Sequence, residues 1–203
     1  MNRRAFLKQA RILFAAVVPA LYGSPVSAAD PQPVTFLVVY HSATGNTEKM
    51  AQGVAEGAKA VSGTTVVLKR VGEVAANDLS SSDAVIVGSP VYFANMSGEV
   101  KTFFDNWSLK FDLFQNRKMR NKVGAAFSTG AGVSAGKEFT IVGILAAMLN
   151  NQMIVVSGGG GFGASATTGP DSPGIDEKEL AAARDLGKRV AEVAAVVKRG
   201  SSK

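Results

Sequence analysis

The most constraining feature of the sequence is the segment 34–47, which reads VTFLVVYHSATGNT. Its apolar, β-branched run, Val34–Tyr40, predicts a buried strand that stops abruptly at a turn rich in hydroxyl side chains. Apolar residues at helical spacing follow, at Met50, Val54 and Ala58. A strand, a polar turn and a helix N-terminus in this order favour an anion site, because backbone N–H groups and the helix dipole both attract negative charge.

The turn itself, Ser42–Thr47, lacks the glycine patterns of the common nucleotide-binding loops. It contains neither GxxxxGK[ST] nor GxGxxG, which excludes a nucleoside-triphosphatase loop and the dinucleotide fingerprint. It also contains no Lys or Arg. A phosphate bound here would be held by neutral donors, which suits a resident cofactor better than a transferred phosphoryl group.

Strand and helix patterns alternate along the rest of the chain. The predicted strands cover 35–40, 64–69, 84–87, 122–127 and 153–156. The predicted helices cover 47–61, 97–107, 137–150 and 177–198, the third and fourth being preceded by glycine-rich or polar loops. Residues 77–82 are polar, and we predict neither a helix nor a strand there. Residues 157–174 are predicted to form a loop. Because five strands that are apolar on both faces alternate with helices, we predict an α/β fold with a parallel sheet and helices on both faces. For such a five-stranded, doubly wound sheet we expect the strand order 2-1-3-4-5.

Three of the predicted strands end in unusual turns. These turns are 42–47 after strand 1, 90–97 after strand 3 and 128–136 after strand 4. In the order 2-1-3-4-5 the three strands are neighbours, and ligands of open α/β sheets bind beyond the carboxyl ends of strands at such a switch point. We therefore expect the three turns to form one pocket.

The composition excludes several kinds of chemistry. The chain has 203 residues, no cysteine and one histidine. Thiol catalysis, disulfides and cysteine-zinc sites are excluded, and a metal site or a Ser-His-Asp triad is disfavoured. The single His41 follows strand 1, where it serves either as a structural residue of the strand end or as an isolated proton donor. We predict no metal site.

The first 28 residues resemble a twin-arginine export signal. Arg3 and Arg4 precede an apolar segment, 12–22, that is too short for the ~20 residues of a membrane-spanning helix. We expect processing after Ala28, or after Ala29 as the near alternative, followed by a linker at 29–33 and one domain at 34–203. The other interpretation is an uncleaved N-terminal anchor. An export route for folded proteins suits a cofactor that is loaded before export.

The export signal also accounts for much of the positive charge. The formal net charge is +6, and the loss of four cationic residues with the signal would leave +2. No basic stripe with interleaved aromatic residues remains, so we predict no nucleic-acid partner. We also predict no stable membrane span after processing and a periplasmic or otherwise exported location.

Three motifs together resemble the flavodoxin superfamily, and most closely its FMN-dependent NAD(P)H:quinone oxidoreductase branch, the tryptophan-repressor-binding-protein-like flavoproteins. The motifs are SATGNT at 42–47, GSP at 88–90 with FANMSG at 93–98, and FSTGAG at 127–132. The resemblance spans roughly residues 34–198. It implies a flavodoxin-like fold with FMN as the cofactor, and it leaves a homo-oligomer open.

By position, the resemblance also implies three sets of FMN contacts. The phosphate would be held by Ser42, Thr44, Gly45, Asn46 and Thr47. The isoalloxazine ring would be lined by Pro90, Val91, Tyr92, Phe93 and Asn95. Its other side and the ribityl chain would be covered by Ser128, Thr129, Gly130 and Gly132. A flavin ring needs an aromatic or apolar wall; Tyr92, Phe93 and Trp107 are candidates, although Trp107 could equally be a core residue.

The function implied is that of an oxidoreductase in which FMN accepts a hydride from NAD(P)H and reduces a quinone-like acceptor. The protein would place the ring and exclude water, so we expect no obligatory acid–base side chain and name no catalytic residue. Export argues for an alternative, because soluble NAD(P)H is not expected outside the cytoplasm. That alternative is a flavodoxin-type electron carrier whose donor or acceptor is a membrane or periplasmic redox partner. A non-catalytic flavin-binding or assembly protein is a third interpretation.

Overall fold

The structure is a computed structural model that describes residues 33–158, 161–169 and 174–201. The predicted signal and all of the predicted linker except Pro33 lie outside the described residues. The strands are β1 Val34–Tyr40, β2 Thr64–Arg70, β3 Ala84–Tyr92, β4 Asn95–Met96, β5 Val123–Gly130, β6 Ile154–Val155 and β7 Ala164–Thr167. The helices are α1 Asn46–Lys59, α2 Ala76–Ser81, α3 Gly98–Leu109, α4 Lys137–Asn150 and α5 Glu177–Ser201, with a 3₁₀ turn at Val71–Glu73.

The sheet is parallel along its main path, in the order β2-β1-β3-β5-β6. Apart from the numbering of a short extra strand, this is the predicted order 2-1-3-4-5, so the predicted fold class is confirmed. The described residues form seven strands rather than the predicted five. One addition is β4, which pairs antiparallel with β3 as a hairpin.

The other addition comes from a divided edge strand. β6 pairs only with Val123 and Gly124 at the start of β5, whereas β7 pairs with 127–130 at its end. The prediction of a continuous loop over 157–174 was therefore wrong for Ala164–Thr167. Glycines interrupt the edge strand, and the chain resumes pairing further along β5 because the free edge of that strand still offers backbone hydrogen bonds.

Two hydrophobic layers cover the sheet. One lies under α1 and α5, and the other lies under α2, α3 and α4. Within the first layer, α1 and α5 pack backbone against backbone through Gly57 and Gly187. A Cβ atom at Gly57 would lie 1.8 Å from the Arg184 carbonyl oxygen, and one at Gly187 would lie 2.0 Å from that of Val54. This close approach requires glycine and brings the backbones of α1 and α5 together.

A short helix, α2, forms in the polar segment 77–82, where neither a helix nor a strand was predicted. The carboxylate of Asp78 accepts hydrogen bonds from the backbone N–H of Ala75 at 2.8 Å and from the Lys69 ammonium at 2.7 Å. Leu79 is fully buried beneath the helix. One buried leucine and one capping carboxylate stabilise this helix. Six residues are too few to show a helical periodicity in the sequence.

Among the described residues, none of the helices combines the length and the apolar character needed to cross a bilayer.

Candidate functional site

The three predicted turns meet at one edge of the sheet, as the strand order predicts. β3 pairs with β1 on one side and with β5 on the other. The backbone N–H of His41 donates to the Gly88 carbonyl at 3.2 Å, and Pro90 lies opposite Thr129. The strands run further than predicted, so Ser128, Thr129 and Gly130 belong to β5 and Pro90 belongs to β3.

The first turn presents an open helix N-terminus. Gly45 has a φ of 88°, a left-handed conformation that favours glycine, and its N–H donates to Ser42 Oγ at 3.1 Å. No side chain caps the first turn of α1 or that of α4, whereas Ser97 caps α3 and Asp176 caps α5. The N–H groups at the start of α1 are therefore left for an anionic ligand, which fits a phosphate.

A buried pair of hydroxyl groups joins this turn to β5. Thr47 Oγ1 lies 2.8 Å from Thr129 Oγ1, and both residues are almost completely buried. Thr44 and Asn46 are on the outer side of the turn, where the Asn46 amide donates to Thr44 Oγ1 at 3.2 Å. Of the residues predicted to bind the phosphate, Thr47 is therefore buried and bonded to β5, whereas Thr44 and Asn46 lie on the accessible side of the turn.

Behind the turn lies a cluster of charged and aromatic groups that the sequence analysis missed. The Arg70 guanidinium donates to the Ser42 carbonyl at 3.1 Å and pairs with Glu48 at 2.5 Å, 5.3 Å from the centre of the Tyr40 ring. Burial and the hydrogen bond to Glu48 raise the pKa of Tyr40. Since Glu48 neutralises Arg70, the turn itself still offers mainly neutral donors. The only sequence signal was the position of Arg70 at the end of the strand beside β1.

The second turn is a tight hairpin between β3 and β4. Phe93 and Ala94 have φ values of 49° and 61°, which is strained backbone for residues with a Cβ. Tyr92 is 44% exposed and Phe93 is fully exposed, which places two aromatic side chains at the surface of the pocket edge. Strained backbone that carries exposed aromatic rings is typical of a binding site.

The remaining predicted contacts differ in accessibility. A methyl group of Val91 comes within 3.3 Å of where a Cβ of Gly130 would lie, so the second and third turns touch. Asn95 is exposed, and its side-chain oxygen accepts from the Met96 N–H at 2.8 Å. Ser128 is fully buried, and its hydroxyl has no partner in the described part of the chain. Ser128 therefore lies within the sheet, opposite Ser89 of β3 and Ser165 of β7.

Trp107 belongs to the hydrophobic core and not to the ring wall. It is 1% exposed and packs against Phe103 and Phe104, with ring centroids 5.6 and 4.9 Å apart. The helix α3 turns this side chain inward, onto the sheet. Of the three aromatic candidates, Tyr92 and Phe93 remain for the wall.

His41 lies beside the pocket, at the mouth of a cleft of about 730 Å³ between β1, the 3₁₀ turn and α3. Its Nε2 is 3.7 Å from Glu99, and its ring meets Tyr92 edge-on with centroids 6.4 Å apart. A hydrogen bond from its own backbone N–H lowers the pKa of Glu99, and the charge of His41 adds to the effect. His41 thus has structural partners at the strand end.

Lys137, at the start of α4, is a second residue that the sequence analysis missed. It is 5% exposed, and its ammonium donates to the Gly132 carbonyl at 3.2 Å and to Thr167 Oγ1 at 2.5 Å. The third turn is therefore fastened to β7 by a buried cation. Its place directly after a predicted cofactor loop was the only signal in the sequence.

Known proteins share this architecture. The model of the NADPH-dependent FMN reductase family matches residues 69–167. A flavodoxin of Aquifex aeolicus is 37% identical over 168 residues, covering 79% of this chain and 86% of that protein. An NAD(P)H dehydrogenase (quinone) of Archaeoglobus fulgidus is 34% identical over 187 residues, covering 78% and 96%. The crystal structure of a flavodoxin, WrbA-like protein from Agrobacterium tumefaciens has a TM-score of 0.67 at 28% identity, covering 79% and 97%.

The parallel sheet with an open helix N-terminus at its switch point defines a flavodoxin-like α/β protein. The chain belongs to the flavodoxin superfamily, in its NAD(P)H:quinone oxidoreductase branch. The predicted family, the predicted flavodoxin-like fold and the prediction of FMN as the cofactor are confirmed. The individual FMN contacts stay predictions.

Proposed function

We propose that this chain is an FMN-dependent oxidoreductase that passes two electrons from NAD(P)H to a quinone-like acceptor. The observation that carries the proposal is the uncapped N-terminus of α1, tied through Thr47 and Thr129 to the strand that leads into the third turn. Bound FMN would supply the electron-transfer chemistry. Support for the donor and the acceptor comes from relatives named NAD(P)H dehydrogenase (quinone).

The side chains of this pocket position the cofactor rather than react with the substrate. The N–H groups of the first turn of α1 would bind the phosphate, with Ser42 Oγ bonded to the Gly45 N–H so that the turn keeps its shape. Tyr92 and Phe93 would shield one face of the ring from water. The loop 131–136 and Gly130 would cover the other side, where the backbone can come close.

The proposal predicts that the purified chain binds FMN and that NADPH bleaches its flavin absorbance under anaerobic conditions. A quinone added next should restore the absorbance. A chain that binds FMN tightly but is not bleached by NADPH or NADH would contradict the reductase function and leave cofactor binding intact.

The second candidate is an exported flavodoxin-type carrier with a redox protein as partner. The resemblance to a protein named flavodoxin and the predicted export signal support it. The predicted charge of +2 without the signal opposes it, because steering toward a partner needs a strongly charged face. A reductive titration separates the candidates: two well-separated one-electron steps favour the carrier, and a single two-electron step favours the reductase.

We also propose that the chain is exported through the twin-arginine route. The support is the Arg3-Arg4 pair ahead of a short apolar segment. Substitution of both arginines by lysine should trap the full chain in the cytoplasm, measured by fractionation of cells. Unchanged distribution of the double variant would contradict the proposal.

An exposed apolar stripe supports self-association. It runs along α4 and consists of Phe139, Val142, Ala146 and Leu149. The spacing of three, four and three residues places these side chains on one line of the helix, the pattern of a helix–helix seam. We propose that a second copy of this chain covers the stripe.

A further inference from the structure

The buried ammonium of Lys137 stands out because its charge has so little compensation. It donates to the Gly132 carbonyl and to the Thr167 hydroxyl, and both of these acceptors are neutral. Within the described ranges, no carboxylate forms an ion pair with it. Taking a cation out of water without a counter-charge is expensive, so such a group is retained where it meets negative charge.

Two carboxylates, those of Glu138 and Glu179, belong to residues next to Lys137 in the chain or next to its partner Thr167 in space. Neither forms an ion pair with the Lys137 ammonium. Glu138 is exposed on the outer side of α4. Glu179 of α5 is engaged elsewhere, since its two carboxylate oxygens accept from the N–H groups of Thr167 and Asp176 at 2.8 and 3.1 Å. The third N–H of the ammonium has no acceptor among these contacts.

The position of Lys137 points to the ring rather than to the phosphate. Thr129 turns its side chain toward Thr47 and the phosphate turn. The next residue, Gly130, faces the other side of the strand, as successive strand residues do. There the stem of Lys137 comes within 3.0 Å and Val91 within 3.3 Å of where a Cβ of Gly130 would lie. The stem of Lys137 therefore lies beside Val91 of the wall that we assign to the flavin ring, and its ammonium lies in the third turn, on the Gly132 carbonyl.

We propose that Lys137 is a positioning and tuning residue that favours the reduced form of the bound FMN by placing a positive charge beside the ring. This inference rests on the proposed function. A hydride from the nicotinamide donor brings two electrons and one proton, so the ring carries one negative charge until a second proton arrives. An ammonium nearby stabilises that charge.

The test compares the midpoint potentials of the FMN-loaded chain in four forms: wild type, Lys137→Gln, Lys137→Arg and Lys101→Gln. The Gln side chain keeps N–H donors for Gly132 and Thr167 but removes the charge, and the Arg side chain keeps the charge. Lys101 is an exposed lysine of α3, paired with Asp105 at 2.6 Å, and its variant is the matched control for loss of a distant charge.

Lys137→Gln should bind reduced FMN roughly tenfold to a hundredfold more weakly relative to oxidised FMN, the usual effect of one nearby charge. That is a drop of about 30 to 60 mV in a two-electron potential. Lys137→Arg and Lys101→Gln should stay near wild type. In the Gln variant, reduced FMN should also take up a second proton, because no ammonium stabilises its negative charge. The potential of this variant should therefore change by about 59 mV per pH unit, against about 30 mV per pH unit in wild type.

Equal potentials and equal pH slopes in wild type and Lys137→Gln would overturn the role of Lys137 while leaving FMN binding intact. A loss of thermal stability or of oxidised-FMN affinity in Lys137→Gln, without a shift in potential, would also overturn it and assign the residue to bracing the loop. A wild-type chain that binds no FMN at all would instead overturn the proposed function, and this inference with it.

Discussion

At the scale of single residues, the contact between Thr47 and Thr129 joins the phosphate turn to the sheet. Valine at position 47 keeps the shape of threonine but leaves the buried Thr129 hydroxyl without its partner. We expect Thr47→Val to lower the free energy of unfolding by about 1–2 kcal/mol. FMN should bind about tenfold more weakly, as measured by fluorescence titration, because the first turn of α1 is no longer held.

Thr140→Val is the matched control for this change. Thr140 is fully buried on α4, and its hydroxyl has no hydrogen-bond partner within the described residues. Removing that hydroxyl should leave stability unchanged or slightly higher. If the two valine variants lose equal stability, the hydroxyl pair is not what stabilises the turn.

At the scale of elements, the β3–β4 hairpin stores strain at the pocket edge. Ala94 has a φ of 61°, and glycine adopts this conformation without a steric penalty. Ala94→Gly should raise the free energy of unfolding by about 0.5 kcal/mol, the relief of strain being partly offset by the greater freedom of the unfolded chain. Chemical denaturation measures this difference.

Ala60 provides the comparison for the hairpin variant. It is exposed, and its φ of −69° needs no glycine. Ala60→Gly should therefore lower stability by about 0.4–1 kcal/mol, through the unfolded chain alone. A loss of stability of similar size in Ala94→Gly would show that the hairpin backbone is not strained.

The short helix α2 has a pH-dependent anchor. The hydrogen bond from Lys69 lowers the pKa of Asp78, and the N–H of Ala75 adds to the effect. Because the folded-state pKa is below the unfolded value, the stabilisation is present at neutral pH and is lost as the pH falls through the folded-state pKa. Asp78→Asn should cost about 1 kcal/mol at pH 7, and the difference should shrink below about pH 4.

Urea unfolding of both forms across this pH range measures the difference. Glu192→Gln, on the exposed side of α5, is the control and should give a small difference at every pH. A cost of Asp78→Asn that does not change with pH would mean that the ionised carboxylate is not the anchor.

At the scale of the whole molecule, the proposed seam between two copies along α4 makes a testable prediction. Val142 is 41% exposed in the middle of the stripe. Val142→Glu should place charges against each other across a seam between two copies, and the molar mass in light scattering should fall to that of a monomer. Val196→Glu is the control, since Val196 is exposed on α5, away from the stripe. Equal masses for wild type and Val142→Glu would contradict the proposed seam.

Much of this architecture could be predicted from local patterns. The apolar runs and the polar turns that end them predicted the strands and a parallel sheet. The order expected of a doubly wound sheet then predicted that three distant turns would meet, and that order is confirmed. The extra strands β4 and β7 could not be predicted, because strands of two and four residues carry no periodicity. The helix α2 was missed because its stability comes from contacts with β2 and the core rather than from its own sequence.

The sequence by itself determined the strand–turn–helix unit at 34–47, because that unit depends on residues that are neighbours in the chain. The alternation of strands and helices indicated the class of fold, and the resemblance of three separate motifs indicated the kind of ligand. Only the tertiary structure decided which side chains lie exposed at the pocket and which are buried behind it. It moved Trp107 into the core, placed Arg70 behind the phosphate turn and buried Lys137 beside the third turn. The physical reason is that burial and charge depend on neighbours in space, and those come from segments far apart in the chain.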